Sequence, residues 1–339
     1  MKKFFAIAMA ALTLMAVGCK KDNGNEENVD KTALTELIAQ AKASLASATS
    51  TTYPQSAIDA FSATVTEVEK AADSATTEAQ VASLIARLQE AYTNFLESAV
   101  DAVKTADTIF KLSFDEGTGT TLTTAGKNAW TATFEGATAD GAVPTFVDGK
   151  VGKALNFSAG NHLVLKDADP SQICTNHLSI SVWAKPAEQR AGNYIFSCNS
   201  WDSCKFQIQD SDRPFMTVHT TGGWVDADCN VSEAAPAGSW THIVAAWDGE
   251  AGTMTFYING EETVVWTVEG ETSKGAGLKG TIIAPEDTKD CVIIGARQSL
   301  YMAGADAIND YFEGALDEIA VYSVTLTKGQ AAKLYNDTK

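Results

Sequence analysis

Positive charge is scarce in this sequence: 25 Lys and Arg stand against 43 Asp and Glu, a net charge of −18 over 339 residues. Phosphate backbones are held by basic faces, so a nucleic-acid partner is excluded. There is no P-loop and no H-E-x-x-H, which removes the usual signs of nucleoside triphosphate and zinc-protease chemistry. No two cysteines have C-x-x-C spacing, so zinc has no ligand pattern. Histidine is rare as well. His162, His177, His219 and His242 stand apart from any recognisable Ser or Cys nucleophile and read as structural or surface residues.

What is present is ordinary globular composition, 45% hydrophobic and 20% charged, in a chain long enough for two domains with separate cores. The first eighteen residues do not belong to the fold. Lys2 and Lys3 precede an apolar stretch, Phe4 to Val17, that is short for a mature membrane span. The stretch ends in Ala16-Val17-Gly18-Cys19, which resembles a bacterial lipobox and implies lipidation of Cys19. A plain secretory signal with an incidental Cys19 is the alternative. Residues 19–30 carry almost no apolar side chain and read as a flexible tether. Asp22, Glu26 and Glu27 resemble the acidic export tags of Bacteroidetes-type surface lipoproteins, which implies a protein anchored to the outer membrane and exposed at the cell surface.

Five cysteines follow the signal: Cys174, Cys198, Cys204, Cys229 and Cys291. Cys198 and Cys204 flank a five-residue loop between two apolar strands, so a bridge closing that hairpin is expected. The odd count leaves at least one thiol over, and the remaining pairing is open.

Residues 31–104 carry apolar side chains at helical spacing. Leu34, Leu37, Ile38, Ala41 and Leu45 form one stripe, Ile58, Phe61, Val65 and Val68 a second, and Val81, Leu84, Ile85, Leu88, Tyr92 and Phe95 a third. Breaks at 50–54 and 73–76, a capping box at Thr77 with Gln80, and Ser56 as a second cap predict an up-down-up bundle of three helices. Tyr53 and Ser56 match the Y-x-x-S start of the middle helix in FIVAR-type modules of bacterial surface proteins. That resemblance implies a spacer.

From Ile109 the period changes to two, with turn signals every ten residues or so. Asn259-Gly260, between Phe256-Tyr257-Ile258 and Thr263-Val264-Val265, is the strongest hairpin signal. Many short strands over residues 107–339 predict an all-β, two-sheet antiparallel jelly-roll sandwich. Its phrases then become specific. They run from Leu112-Ser113-Phe114-Asp115-Glu116-Gly117, through Gly149 to Phe157, Leu178 to Pro186 and Trp240 to Gly249, to Phe312 to Tyr322. In this order they resemble the laminin-G-like, concanavalin A-like family.

That resemblance implies a calcium ion near the first and last strands, with Asp115 and Asp317 as ligands and backbone carbonyls completing an oxygen shell. Turn capping by the same two aspartates is the alternative. Jelly-roll glucanases set their acids as E-x-D-x-E on one strand. Here Asp317 and Glu318 are adjacent and would face opposite sides of a strand, and Glu313 precedes a glycine, so catalysis by this set is not expected.

Aromatic side chains are the remaining candidates for ligand contact. Trp183, Trp240 and Trp247 lie inside family phrases and are expected in the core. Trp201 lies in the loop between Cys198 and Cys204, Trp224 follows Gly222-Gly223, and Tyr301 sits in the segment from Arg297 to Ile308. Indole faces stack on sugar rings, and partial burial at a sandwich rim is the alternative for each. The resulting expectation is a non-enzymatic surface lipoprotein that binds a glycan or glycosylated protein. A structural or protein-binding subunit, or a divergent glycoside hydrolase or lyase, are its rivals.

Overall fold

The structure is a computed structural model and describes residues 29–50, 52–266, 273–275, 277–304 and 308–339. Cys19, the expected signal and most of the expected tether therefore lie outside the described residues. No described helix is long and apolar enough to cross a membrane. The chain divides into two compact units at the Val103–Lys104 boundary.

The first unit contains α1 (Thr32–Ser47), α2 (Gln55–Ser74) and α3 (Glu78–Glu97). The three apolar stripes meet in one core, where Phe61 stacks on Tyr92 and Phe95, and Tyr53 on Phe95. Thr77 and Gln80 form the capping box at the start of α3. Ser56 does not cap α2. Pro54 occupies that position with no side-chain cap, and its fixed φ suits a helix entry without one. Exposed ion pairs Lys42–Glu69 and Arg87–Glu67 link the helices and contribute little at full hydration.

The second unit opens with β1 (Thr108–Leu112), β2 (Thr121–Thr123), β3 (Thr131–Glu135), β4 (Thr145–Asp148), β5 (Lys153–Phe157) and β6 (His162–Lys166). Next come β7 (His177–Pro186), β8 (Asn193–Cys198), β9 (Cys204–Gln209), β10 (Arg213–Thr220) and β11 (Gly223–Asp228). β12 (Thr241–Asp248), β13 (Thr253–Ile258), β14 (Glu261–Trp266), β15 (Ser273–Lys274), β16 (Val292–Ile294) and β17 (Gly314–Tyr322) complete the strands. Two helices lie among and after them, the short α4 (Leu300–Ala303) and α5 (Lys328–Thr338).

The strands form two antiparallel sheets. One runs β14-β13-β12-β7-β17-β5-β4, with β1 also on β17, and the other runs β15-β11-β10-β9-β8-β16-β6-β3-β2. Alternation drives Phe110, Phe157, Phe196, Phe206, Phe256 and Trp247 into the core between them, all fully buried. The Asn259-Gly260 turn joins β13 to β14 with both residues at positive φ, 51° and 80°, the twist that a two-residue hairpin needs.

Thr108 pairs with Tyr322 and Leu112 with Ile319, so the first and last strands are neighbours. β17 bulges between Asp317 and Ala320 where it meets β7, and Glu318 there has φ 50°. The bulge re-aims both acids. Asp317 is buried against the 149–153 turn, while Glu318 pairs with Lys111 of β1.

All five described cysteines are free, buried thiols, so the expected Cys198–Cys204 bridge is not formed. The two do stand opposite each other across the β8–β9 ladder. Cys198 Sγ, however, lies 4.0 Å from Cys174 Sγ. Contact with Cys174, Cys204 and Cys291, together with burial, pushes the Cys198 thiol well up. A buried thiol held protonated is a poor partner for disulfide exchange.

Candidate functional site

Four of the large apolar side chains that remain exposed gather at one end of the second sheet. Trp201 is 44% and Trp224 46% exposed, with Leu278 and Ile283 close to 40%. The loop after β8 turns through Asn199 and Ser200, both with φ near 50°, into a single 3-10 turn over Ser200–Asp202. The Asn199 amide donates to the Cys291 carbonyl (3.1 Å) and the Ser200 amide to Ser197 Oγ (2.9 Å). These bonds hold a strained conformation and present Trp201 at the rim.

Trp224 opens β11. Thr220 Oγ1 accepts from the Gly222 amide and donates to the Gly223 carbonyl, closing the β10–β11 turn. The indole Nε1–H of Trp224 donates to the Trp201 carbonyl at 2.9 Å. His219, opposite Trp224 on β10, stacks on its ring at 3.8 Å between centroids and 5° between planes. Its Nδ1 lies 3.1 Å from the Asp202 carbonyl. The Ile283 amide donates to the His219 carbonyl, and a Cβ added at Gly223 would meet Leu278, so both residues lie on segments that flank the β10–β11 turn.

Behind the rings the sheet is polar. Cys204, Phe206, Met216, Val218, Val225 and Ala227 face the core, so alternation puts Lys205, Gln207, Thr217, Asp226 and Asp228 on the same outer face as Trp224. Thr217 donates to Asp226 Oδ1 at 2.6 Å. Burial raises Asp228 to about 6, against the pull of Arg213. Lys205 is 1% exposed, and its Nζ donates to Gln207 Oε1 at 2.6 Å. The same ammonium stands 3.8 Å from the Trp201 centroid, 4.5 Å from Phe215 and 5.3 Å from Tyr194, a cation–π geometry with three rings. Burial lowers Lys205 to about 8. Farther along the sheet this face is closed, because Ile293 packs with Ala296, Ile308, Ala303 and Tyr311. The open part is the end that bears the tryptophans.

Asp115 and Asp317 converge on the other side of the sandwich, at the turn between β4 and β5. Asp317 Oδ2 accepts from the Lys150 and Val151 amides at 2.8 and 2.9 Å, and Asp115 Oδ1 from the Lys153 amide at 2.9 Å. Asp317 Oδ1 is buried with no hydrogen-bond partner, and burial raises this carboxyl to about 7. An orphaned, buried carboxylate oxygen beside a second aspartate is the donor type that a hard cation requires. Among the described residues no group of three or more His, Cys, Asp or Glu side chains is set to hold a metal, so backbone or water oxygens would have to supply most of the shell.

Tyr301 lies on α4, and its hydroxyl bonds Asp287 at 3.4 Å while Lys289 sits 3.9 Å over its ring. Its partners are thus other than the two tryptophans. Trp183 and Trp247 are buried. His242, also buried, bonds Ser181 at 2.9 Å, and burial lowers it to about 3, which fits a packing role. Glu313 accepts from the Ala159 amide and lies 4.0 Å from Arg190, whereas Asp317 accepts from the Lys150 and Val151 amides. His219 and Lys205 are the site residues that sequence reasoning passed over. The alternation Trp224-Val225-Asp226-Ala227-Asp228 was the available signal for that face.

No curated protein matches the chain. Domain 4 of AbnA, an extracellular arabinanase of Geobacillus stearothermophilus solved with arabinotriose, is 21% identical, with a TM-score of 0.49 over 68% of this chain and 98% of that one. The sialidase CBM40 of Ruminococcus gnavus, solved with α2,3-sialyllactose, is 15% identical, with a TM-score of 0.40 over 54% and 96%. The binding domain of Paraclostridial Mosquitocidal Protein 1 is 15% identical, with a TM-score of 0.46 over 68% of this chain and 52% of that one. A laminin-G family model matches residues 157–332, more than half of the sequence. With that match and two antiparallel sheets around one core, the chain belongs to the concanavalin A-like lectin/glucanases superfamily.

Proposed function

We propose that the sandwich is a non-catalytic carbohydrate-binding module, and that its ligand stacks on Trp201 and Trp224. The observation that carries this reading is the exposed pair of indoles. Each is backed on one side by a fixed partner, Lys205 under Trp201 and His219 against Trp224, which leaves the other side for a sugar ring. Rings already held in place lose little freedom when a ligand arrives. Asp226 and Asp228 on the adjoining face offer acceptors for sugar hydroxyls.

In the same reading the lipid-modified Cys19 anchors the chain to the outer membrane, with the three-helix unit as a spacer, and the partner is a glycan or a glycosylated protein at the cell surface. Asp115 and Asp317 would hold a calcium ion, which would supply positive charge to the orphaned Asp317 oxygen and brace the β4–β5 turn against β17. The exposed Leu278 and Ile283, on segments that flank the β10–β11 turn, favour a protein partner as the second reading.

A glycan array read with and without EGTA, repeated with Trp201→Ala and Trp224→Ala, tests the proposal. Specific binding that falls at least about tenfold, 1.4 kcal/mol, in each variant is the expected result. Binding unchanged by either substitution removes this site. Absence of any glycan signal moves the assignment to the protein-binding reading, and release of reducing ends from a polysaccharide moves it to a hydrolase.

A further inference from the structure

Lys205 is a buried cation that forms none of the ion pairs found within 4.0 Å among the described side chains. A core-like position with no carboxylate in contact is a costly place for an ammonium group. What surrounds it instead is the Gln207 amide and the rings of Trp201, Phe215 and Tyr194. Of the three rings, Tyr194 and Phe215 are themselves buried, while Trp201 is 44% exposed. The charge thus bears on the one ring in its cage that can also meet a ligand.

We propose that the Lys205 ammonium is a positioning group for the binding site. It holds the Trp201 indole flat at the rim by cation–π attraction, and ligand affinity follows its charge. This rests on the glycan-stacking role of Trp201 proposed above. Without the charge, the loop Asn199–Asp202 keeps its backbone bonds, but the indole loses the contact that fixes its plane. The neighbouring residue Ser200 lies at φ 49°, and the Trp201 carbonyl is held by Trp224, so the ring, not the chain, is the part set free.

The charged groups facing Lys205 come from three directions. Asp226 and Asp228 lie on β11, with Arg213 beside Asp228 on β10, and Asp310 and Arg297 face it from the segment beyond β16. Arg297 and Asp310 pair with each other at 2.8 Å. Burial outweighs the attraction of these acids and brings the Lys205 proton within reach of mildly alkaline titration. Asp228, at about 6, and Tyr194, pushed up to about 12, lie on either side of that range.

The test uses the mature protein and two signals between pH 6.5 and 9.5. The first is the ligand-free fluorescence of Trp201, taken in a Trp224→Phe background as the difference from the same protein carrying Trp201→Phe, which subtracts the other five tryptophans. The second is affinity, in the otherwise unaltered protein, for whichever oligosaccharide the array identifies. The ring signal is expected to change with a midpoint near 8, and affinity to fall about fivefold over the same interval. Lys205→Arg, which keeps its charge throughout, is expected to retain both signals at pH 9.5. Lys205→Met is expected to show the alkaline values at every pH while remaining folded, checked by thermal denaturation. A ring signal flat with pH, or affinity in Lys205→Met equal to that of the unaltered protein, overturns the proposal. If no oligosaccharide binds, the glycan reading fails, while the ligand-free titration still decides whether Lys205 holds the ring.

Discussion

His219 and Trp224 face each other across the β10–β11 ladder with their rings 3.8 Å apart and 5° from parallel. One side of Trp224 is thus occupied by the protein itself, and the imidazole is steadied in turn by the Asp202 carbonyl. The arrangement makes the indole a one-sided platform. It also links the platform to the Trp201 loop, since Asp202 closes the turn that begins at Ser200.

Replacing His219 by Ala therefore lowers ligand affinity without touching the ligand-facing side. A loss of about 1 kcal/mol, roughly fivefold, is expected from removing an aromatic backing of this kind. His219→Phe, which restores a flat ring, is expected to recover most of it. Calorimetric titration of the three proteins measures the differences, and equal affinity in all three would show that Trp224 needs no backing.

The β4–β5 turn predicts a metal dependence. If calcium satisfies Asp317 Oδ1, EGTA lowers the melting temperature of the sandwich and Asp317→Asn abolishes that sensitivity. Gly152→Ala is expected to act similarly. Its φ is +57° and a Cβ there would overlap Asp115 Oδ1, at a cost of about 1–3 kcal/mol. Melting curves unaltered by EGTA in all three proteins would leave the two aspartates as turn caps.

On the opposite sheet, Glu135 predicts an acid response. It lies 3.5 Å from His162 Nε2 and 2.8 Å from Lys166. The imidazole first, and then the ammonium, hold its carboxyl at about 2 against the effect of burial. A folded-state value below the unfolded one gives stability that is complete above about pH 4.5 and lost as pH falls towards 2. Glu135→Gln is expected to be less stable than the unaltered protein at pH 6, by on the order of 2–3 kcal/mol, and to differ little from it near pH 2. Urea unfolding at the two pH values checks this, and a constant difference would refute it.

His242 contributes in the same direction through another cause. Burial lowers it to about 3, so the neutral ring favours the fold above the unfolded value and the advantage is lost as pH falls towards 3. His242→Gln is expected to lessen the loss of stability between pH 6.5 and 4. A pH profile parallel to that of the unaltered protein would remove this contribution.

Much of this was legible in the sequence. The change of period from 3.6 to two near Ile109 separates helices from strands, the Asn259-Gly260 turn falls where its dipeptide says, and Thr77 with Gln80 closes its box. Trp201 and Trp224 stand out because a large ring in a glycine- or loop-rich context has little core to enter. Lys205 did not. In Cys204-Lys205-Phe206-Gln207 it reads as the solvent half of an alternating strand, and only rings arriving from β8, β10 and the loop before β9 bury it. The orientation of Asp317 was equally hidden, because a bulge is a property of pairing with β7 and not of local sequence. Nor does the spacing of Cys198 and Cys204 reveal that Cys174, brought in from the turn before β7, stands 4.0 Å from the Cys198 sulfur. Tyr301 stays exposed as its loop context suggests, while its partners Asp287 and Lys289 are contacts that the sequence does not announce.

The pairing of β1 with β17 has a consequence for how the protein is made. About two hundred residues separate partners such as Thr108 and Tyr322, so the sheet cannot close until nearly the whole module has emerged. Until then β17's neighbours β5 and β7 lack the strand between them. The module therefore completes its shape only after its last strand arrives.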